Sequence, residues 1–343
     1  MRILNCDSNY ILGERRGQGG AWLFAILFIV VVGLRPTSGY YFGDTGTYAA
    51  QYRLYQSGVP YETYLRESDW LFSLITYNCS RIMDVGGFFL IVEACYIIPM
   101  LIACRRWFPN NMALAVLFCF TALSFFTYGT NGIRNGMACS FVILALSYAN
   151  GNMRSKIFAG LLAFAAISIH KSTALPVMMM VASLFYRNTK MIMGAWVFSI
   201  FLSLVAGGFI ENIFAGLGFD DRLSGYISNE DNNDQFSSTG FRFDFLLYSM
   251  MPIVLGYYTV IKRKIYDSNY LLLLHTYILS NAFWVMLIRV SFSNRFAYLS
   301  WFLYPIVLAY PLLKLDIWGE RQGRKLAYIL LAHVAFTYLM WLK

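Results

Sequence analysis

The chain has 343 residues, of which 58% are apolar, 18% aromatic and only 13% charged. An ordinary soluble domain carries about 25% charged residues, so this composition excludes a soluble enzyme, and its hydrophobicity excludes a disordered chain. A net charge of +9 would indicate nucleic acid as a partner of a soluble protein. In so apolar a chain, Lys and Arg collected in cytoplasmic loops explain the charge, and no nucleic-acid partner is expected. The composition predicts an all-α, polytopic integral membrane protein.

Apolar runs along the chain predict about 11 transmembrane helices in a single membrane domain covering residues 1–343. The first run follows two arginines and precedes no small-residue cleavage site, so we expect a retained helix and not a removed signal peptide. The predicted spans are 20–34, 86–103, 112–129, 135–150, 156–170, 173–187, 191–209, 245–261, 270–288, 296–313 and 326–342.

Two polar stretches interrupt this pattern and predict a first outer loop at 35–84 and a second at 210–243. Within the first, the segment from Asp69 to Asp84 is short for a span, and its apolar residues share one helical face. We expect an amphipathic helix that lies in the membrane interface.

The predicted orientation of the chain depends on whether the segment from Asp69 to Asp84 lies in the interface or spans the membrane. With the segment interfacial and the N-terminus cytoplasmic, most of the 27 lysines and arginines lie in inner loops, as the positive-inside rule requires. A spanning segment would move most of them outside. The charge pattern therefore predicts that both long loops, and with them the function, lie on the outer side.

Some cations remain on the outside although the orientation rule does not ask for them. Arg134 lies between two spans among Gly, Asn and Thr, and Arg289 and Arg295 flank one short turn. A guanidinium donates paired hydrogen bonds to phosphate oxygens and stays charged, so these arginines can hold a lipid-linked pyrophosphate. The alternative is that each extends to the interface or pairs with an acid such as Asp44 or Asp244.

His170 and Lys171 follow an apolar run at its outer end. An imidazole accepts a proton near neutral pH, so His170 is a candidate base for a substrate hydroxyl. The alternative is a histidine that caps the helix end or faces solvent. His275 and His333 lie within predicted spans and are expected to be packed interior residues. The dispersed histidines and cysteines predict no metal site and no disulfide framework.

The first outer loop is rich in tyrosine around Asp44. Aromatic faces stack on sugar rings while carboxylates accept hydrogen bonds from hydroxyls, so Asp44 and Tyr48 predict sugar binding. An interfacial aromatic belt is the alternative. Asp44-Thr-Gly also matches the aspartic-protease tripeptide, but the sequence holds no second copy of it.

Glu93 lies near the middle of a predicted span. A carboxylate at that depth is costly, so it either serves function, for example in a proton relay, or is hydrogen-bonded and protonated. One isolated acid does not make a relay, which favours the structural interpretation. No nucleotide-binding loop of the Walker type is present, so ATP hydrolysis within this chain is not expected.

Four short segments together resemble the EpsG family of bacterial exopolysaccharide proteins. The segment Phe126–Ala138, which contains Asn-Gly-Ile-Arg-Asn, resembles a turn of that family, and Ser168–Ser172 resembles its His-Lys-Ser segment. Ser293–Tyr298 is similar to its late arginine and tyrosine turn. Asp44 with Tyr48 is similar to its early outer-loop pair.

The resemblance covers about residues 20–313, with Asn135 where the family more often has glutamine. Because the family resembles Wzy-type polymerases, it implies a glycosyltransferase that joins undecaprenyl-pyrophosphate-linked oligosaccharide repeat units into capsule, exopolysaccharide or O-antigen. The implied place is the outer face of the bacterial cytoplasmic (inner) membrane, surrounded by membrane lipid. A chain-length regulator and a flippase are further implied partners, and neither a nucleotide sugar nor a cofactor is implied.

The resemblance also implies roles for the outer residues. Arg134, with Arg289 or Arg295, would stabilise the charge that develops on the leaving pyrophosphate. Either His170 or Asp44 would be the base that deprotonates the acceptor hydroxyl. The other residues implied to contact substrate are Lys171, Asn131, Asn135, Tyr48 and Tyr298.

Two other functions fit the same sequence. A transporter or flippase of the lipid-linked oligosaccharide would depend on Glu93 more than on His170. A membrane acyltransferase that decorates the polysaccharide would also use an outer histidine. Loss of such an enzyme would remove acetyl groups and leave the length of the polysaccharide unchanged.

Overall fold

Every apolar run forms helix in the computed structural model, which describes residues 18–216, 240–290 and 293–342. No strand occurs within these ranges. A helix satisfies each backbone N–H and C=O inside its own segment, which is the condition that a bilayer imposes on a spanning chain. The all-helical fold predicted from composition is confirmed.

The helices are bounded as follows. In chain order they are α1 (Gln18–Gly33), α2 (Gly39–Phe42), α3 (Thr45–Gln56), α4 (Trp70–Ile82), α5 (Val85–Trp107), α6 (Met112–Phe120), α7 (Phe125–Thr130), α8 (Ile133–Ala149), α9 (Met153–Ile169), α10 (Ala174–Phe185), α11 (Thr189–Gly216), α12 (Phe243–Gly256), α13 (Ser268–Met286), α14 (Asn294–Trp301), α15 (Tyr304–Lys314) and α16 (Gln322–Trp341). A π-helical segment, Tyr257–Lys262, continues α12, and short 3-10 turns occur at Tyr61–Tyr64, Glu67–Asp69, Lys171–Thr173 and Gly319–Arg321.

Polar side chains set the starts of several helices. The Asp84 carboxylate accepts a hydrogen bond from the Gly87 N–H at 2.8 Å and begins α5. Asn152 begins α9 in the same way, and Asp267 begins α13 by accepting from two backbone N–H groups. These caps satisfy donors that have no partner in the first turn.

Four helical segments are long and apolar enough to cross a bilayer: Val85–Trp107, Thr189–Phe209, Phe243–Lys262 and Asn294–Lys314. Three shorter helical segments, Gln18–Gly33, Ile133–Ala149 and Lys171–Phe185, are also apolar. The chain is therefore a helical membrane protein, while the number of eleven crossings stays a prediction.

The predicted span 112–129 is two helices in the structure and not one. α6 ends where the Thr121 hydroxyl donates back to the Leu117 carbonyl at 2.7 Å, and α7 begins after a tight turn. A hydroxyl that bonds the carbonyl four residues earlier competes with the helical ladder. Two residues separate α14 from α15 within the predicted span 296–313, although the segment Asn294–Lys314 as a whole is long enough to cross a bilayer.

The first of two compact units contains the described residues up to Ala174 and those from Leu312 onward. In it, the Met100 N–H donates to Ser140 Oγ at 3.1 Å, and the Arg106 side chain bonds the Ser147 carbonyl. These contacts pair α5 and α8 along their lengths in the same direction. α9 packs on α8 after a short turn, so it returns to the end at which α5 and α8 begin.

At that end, five helices of the first unit share one apolar core. Its buried members include Ala49, Tyr52, Phe72, Phe88, Phe89, Ile133, Met137 and Ile169, from α3, α4, α5, α8 and α9. Packing in this core holds the ends of the five helices close together. It therefore brings the polar residues at those ends near one another.

The helix predicted from the segment Asp69 to Asp84 is observed as α4. It buries Phe72, Thr76 and Cys79 in the first unit and leaves Trp70 and Leu74 exposed. This distribution is what a helix lying in the membrane interface requires, because exposed apolar residues then face lipid. Its place in the interface stays a prediction.

The second unit, Leu175–Pro311, is held by buried polar side chains as well as apolar ones. Trp196 Nε1 donates to Asn281 Oδ1 at 2.8 Å, and Asn281 Nδ2 donates to Ser300 Oγ at 2.9 Å. His275 is buried and its Nε2 lies 2.9 Å from Thr189 Oγ1. The expectation that His275 is a packed interior residue is confirmed, and the same holds for His333 in the first unit, which contacts the Phe118 carbonyl.

Candidate functional site

Three segments of the first unit meet at one buried carboxylate. Asp69 directly precedes α4, Arg134 lies in the first turn of α8, and His170 follows the last residue of α9. The shared apolar core brings these helix ends together. We refer to Asp69, Arg134 and His170 as the Asp69 cluster.

The Asp69 carboxylate accepts hydrogen bonds from three donors. Arg134 donates from Nη1 to Oδ2, and the backbone N–H of Lys171 donates to Oδ1 at 3.0 Å. The Nδ1 atom of His170 lies 3.4 Å from Oδ1 and 3.3 Å from Oδ2. Such a long hydrogen bond is common in catalytic sites without substrate, where it shortens on binding. Only 4% of Asp69 is exposed, so its charge is compensated inside the fold.

These donors set the charge of Asp69. Burial raises the pKa of the carboxyl, but the hydrogen bond and charge of His170 lower it, as do the charge of Arg134 and the Lys171 N–H. The net pKa falls from the ordinary value of 3.8 to about 2. Asp69 is therefore ionised at every physiological pH.

A lowered carboxyl pKa makes protein stability depend on pH. Because the folded-state pKa lies below the unfolded one, the stabilisation is complete above about pH 4 and is lost as the pH falls toward 2. One pKa unit corresponds to about 1.4 kcal/mol, so the ionised Asp69 contributes about 2 kcal/mol to the free energy of unfolding. Thermal unfolding of the detergent-solubilised protein should show this acid loss in the wild type and a flatter profile in Asp69→Asn. Parallel pH profiles would contradict the ion pairing.

The Arg134 guanidinium is fixed by two side chains and keeps one nitrogen for a ligand. Nε donates to Tyr48 Oη at 3.0 Å while Nη1 donates to Asp69. The Cζ atom lies 5.8 Å from the ring centroid of Tyr48 and 5.9 Å from that of Phe72. Among the described residues, Nη2 has no acceptor. Its two N–H groups are available to an anion.

Backbone contacts fix the position of His170. Its N–H bonds the Ala166 carbonyl at 3.0 Å, and its own carbonyl accepts from the Thr173 hydroxyl at 2.8 Å. A carboxylate beside Nδ1 favours the tautomer that carries its proton there, which leaves a lone pair on Nε2. In the described part of the chain no residue bonds Nε2, and the side chain is 22% exposed.

The two halves of the cluster suit different tasks. The Nη2 group of Arg134 can bind an anionic leaving group, and Nε2 of His170 can remove a proton from an attacking hydroxyl. Asp69 holds both. The arrangement therefore fits a reaction in which a hydroxyl attacks the transferred group and displaces a phosphate leaving group from it.

A second set of contacts ties the Asp44 turn to the turn before α8. The Asp44 N–H donates to Asn131 Oδ1 at 2.8 Å, and the Thr45 hydroxyl donates to the Thr130 carbonyl at 2.6 Å. The Asp44 side chain is exposed and acts electrostatically on Arg134. Asp44 and Asn131, both predicted site residues, are thus neighbours at the edge of the Asp69 cluster.

Arg35 stabilises the contact between the Asp44 turn and the turn before α8. It is buried and donates from Nε and Nη2 to the Thr45 hydroxyl, at 3.3 and 3.1 Å, and from Nη2 to the Thr130 carbonyl at 3.1 Å. Its charge interacts with that of Glu93, a buried carboxylate on α5. One carboxyl oxygen of Glu93, Oε1, has no hydrogen-bond partner among the described residues, so the interpretation that Glu93 is hydrogen-bonded and protonated stays a prediction.

Gly43 makes the close approach of the two turns possible. Its φ is +51°, and a Cβ there would lie 2.5 Å from Asn131 Oδ1. Gly43→Ala should lower the unfolding midpoint, because about 1–2 kcal/mol of left-handed strain adds to a steric conflict. Gly319→Ala is the matched control, since Gly319 has φ +55° and nothing within 4 Å of that position. Equal midpoints for the two variants would show that the contact with Asn131 is not tight.

The structure places the remaining predicted site residues as follows. Lys171 contributes its backbone N–H to Asp69, and Asn135 Oδ1 accepts from Cys139 Sγ within α8 at 3.2 Å. Arg289, Arg295 and Tyr298 belong to the second unit, so a ligand shared between them and Arg134 stays a prediction. The predicted outer loop 210–243 lies largely outside the described residues.

Asp69 and Arg35 were not among the predicted site residues. In the sequence, Asp69 is one of several acids of the first polar stretch, and its neighbours along the chain do not distinguish it from the others. Arg35 stands at the outer end of the first span, where the orientation rule asks for no cation. The argument that selected Arg134 would therefore have selected Arg35 as well.

Comparison with known proteins bears on the same residues. The model of the EpsG family matches residues 21–343, which is nearly the whole chain and includes the Asp69 cluster. No curated protein and no solved structure gives a significant match. With its apolar helices and this match, the chain is a membrane-embedded protein of polysaccharide biosynthesis. It belongs to the EpsG family, whose members are Wzy-like polymerases.

Proposed function

We propose that the chain joins lipid-linked oligosaccharide repeat units into a polysaccharide at the outer face of the cytoplasmic membrane, with the Asp69 cluster as its active site. The observation that carries this proposal is that one carboxylate bonds both Arg134 and His170. Family membership supports a polymerase, and the site supplies the chemistry that the reaction needs.

The reaction is a glycosyl transfer. An acceptor sugar hydroxyl attacks the anomeric carbon of the donor chain, the bond from that carbon to the pyrophosphate oxygen breaks, and undecaprenyl pyrophosphate leaves. The hydroxyl proton passes to Nε2 of His170. Nη2 of Arg134 bonds the pyrophosphate, and this bond accelerates the reaction because it strengthens as negative charge develops. Asp69 orients the imidazole and stabilises its protonated form.

His170 and not Asp44 is the base in this proposal. The Asp69 carboxylate aligns the His170 ring, whereas no described contact fixes the side chain of Asp44. A base needs a fixed position relative to the proton that it removes. Asp44 and Tyr48, at the edge of the cluster, then accept hydroxyl groups of the sugar. Arg289, Arg295 and Tyr298 are retained as further substrate contacts.

The test uses purified full-length protein in proteoliposomes that contain undecaprenyl-pyrophosphate-linked repeat units and no other protein. We expect a ladder of products longer than one repeat unit, with release of undecaprenyl pyrophosphate. Because neither a chain-length regulator nor a flippase is present, the ladder would assign bond formation to this chain alone.

Other outcomes would assign other functions. Movement of repeat units between leaflets without any ladder would identify a transporter. In producing cells, chains of normal length that lack acyl groups after loss of the protein would identify an acyltransferase. Either result would overturn the polymerase proposal.

A further inference from the structure

A pocket lies at the end of α5 opposite to the Asp69 cluster. Its volume is about 340 Å³, and it is lined by Gln18, Ile102, Arg105, Arg106, Pro109 and Tyr148. Arg105 stands twenty residues after Val85, and at 1.5 Å per residue the two ends of α5 are about 30 Å apart. That separation is the thickness of a bilayer core. The pocket and the cluster therefore face opposite sides of the membrane that α5 crosses.

Arg106 is held flat at the pocket before any ligand binds. Its Cζ lies 3.6 Å from the ring centroid of Tyr148, and Nε and Nη2 donate to the Ser147 carbonyl at 3.4 and 3.2 Å. These contacts leave Nη1 without an acceptor among the described residues. A guanidinium that is already oriented loses little freedom when it binds an anion.

Arg105 adds a second cation to the same pocket. It is exposed, and no hydrogen bond or ion pair to another described residue occupies it. None of the residues that line the pocket is acidic. Two guanidinium groups with unused donors in a pocket without acidic lining residues match the charge of a phosphate group and the hydrogen-bond donors that it requires.

The surroundings of the pocket favour a phosphate that belongs to a lipid. Gln18, at the start of α1, donates from Nε2 to the Pro109 carbonyl at 2.8 Å and forms one wall. Within about two and a half turns further along α1, Leu23, Phe24 and Leu27 are all more than half exposed. A lipid whose headgroup fills the pocket can lay its acyl chains along this apolar surface.

We propose that the pocket binds the phosphate of an anionic phospholipid headgroup, on the membrane side opposite to the Asp69 cluster. This site is independent of the polymerase reaction. It would anchor α1 and the ends of α5 and α8 to one leaflet, since its residues come from those three segments and the turn after α5.

The test measures lipid retained by the purified full-length protein in native mass spectrometry. Detergent micelles carry phosphatidylglycerol or phosphatidylcholine in separate samples, and a further sample carries inorganic phosphate without lipid at equal ionic strength. Wild-type protein should retain phosphatidylglycerol in preference to phosphatidylcholine. The double variant Arg105→Gln, Arg106→Gln should lower phosphatidylglycerol occupancy about tenfold, as loss of charge-assisted bonds predicts.

Two further variants keep the test decisive. Arg105→Gln alone removes an exposed side chain that bonds no described residue, so folding is preserved, and retention should still fall. Arg81→Gln is the matched control, because Arg81 is an exposed arginine of α4 that lies 4.8 Å over the Tyr77 ring. It should retain lipid as the wild type does. Equal retention in all variants would overturn the site. Retention of inorganic phosphate with no preference between the two lipids would overturn a lipid as the source of the phosphate.

Discussion

Asp69→Asn is expected to stop chain growth, with the rate compared per amount of folded protein because the variant also loses the buried ion pair with Arg134. The amide cannot stabilise an imidazolium, and its N–H₂ group can hold His170 in the tautomer that lacks a lone pair on Nε2. General base catalysis contributes about 10²–10⁴-fold, so the rate of polymerisation should fall by that range. The measurement is the length distribution of the glycan in cells that carry only the variant, together with the rate in proteoliposomes.

Glu67→Gln is the matched control for this loss. Glu67 is an exposed acid only two residues earlier, and the same change of charge there should leave the ladder unchanged. Replacing His170 by alanine should act like Asp69→Asn, and the double variant should be no worse than either single one, because both remove the same base. Additive losses would show that Asp69 and His170 act separately.

Arg134→Lys is expected to lower the rate about 10²-fold or more although the charge is kept. Lysine cannot bond Asp69, Tyr48 and a pyrophosphate oxygen at once, because its donors radiate from one atom and do not form a planar fork. Lost charge-assisted bonds contribute about 1.5–3 kcal/mol each, which is tenfold or more in rate per bond. The rate in proteoliposomes, with release of undecaprenyl pyrophosphate as the readout, measures this change.

Arg53→Lys serves as the control, since Arg53 is an exposed arginine of α3 that bonds only the Thr37 hydroxyl among the described residues. Arg134→Gln should behave differently from Arg134→Lys. It leaves the buried Asp69 charge without its cation, and removal of one partner of a buried pair costs about 3–5 kcal/mol of stability. Arg134→Gln is therefore expected to reduce the amount of folded protein. Wild-type rates in well-folded Arg134→Lys would exclude a role in the reaction.

The helices were predictable because a bilayer admits few backbone conformations. Apolar runs long enough to leave water must satisfy their backbone groups internally, so runs such as 86–103 and 270–288 became α5 and α13 with ends shifted by a few residues. The break inside 112–129 was not predictable. No charged residue interrupts the run, and the break coincides with a side-chain hydrogen bond of Thr121.

The candidate site was predictable only as a set of separate residues. The orientation rule selected Arg134 as a cation with no reason to be outside, and helix-end position selected His170. Neither argument says what a side chain touches. The sequence left the base open between His170 and Asp44. We propose His170, because the Asp69 carboxylate lies beside its Nδ1 atom.

The amino-acid sequence by itself determined that this protein is a helical membrane protein, and which polar groups stand at the ends of its helices. Tertiary structure alone decided that Asp69 joins them, because its partners lie 65 and 101 residues away along the chain. Hydrophobic periodicity reports which face of one helix avoids water. Which helix ends meet depends on the shapes of the apolar surfaces between them, here the core shared by α3, α4, α5, α8 and α9.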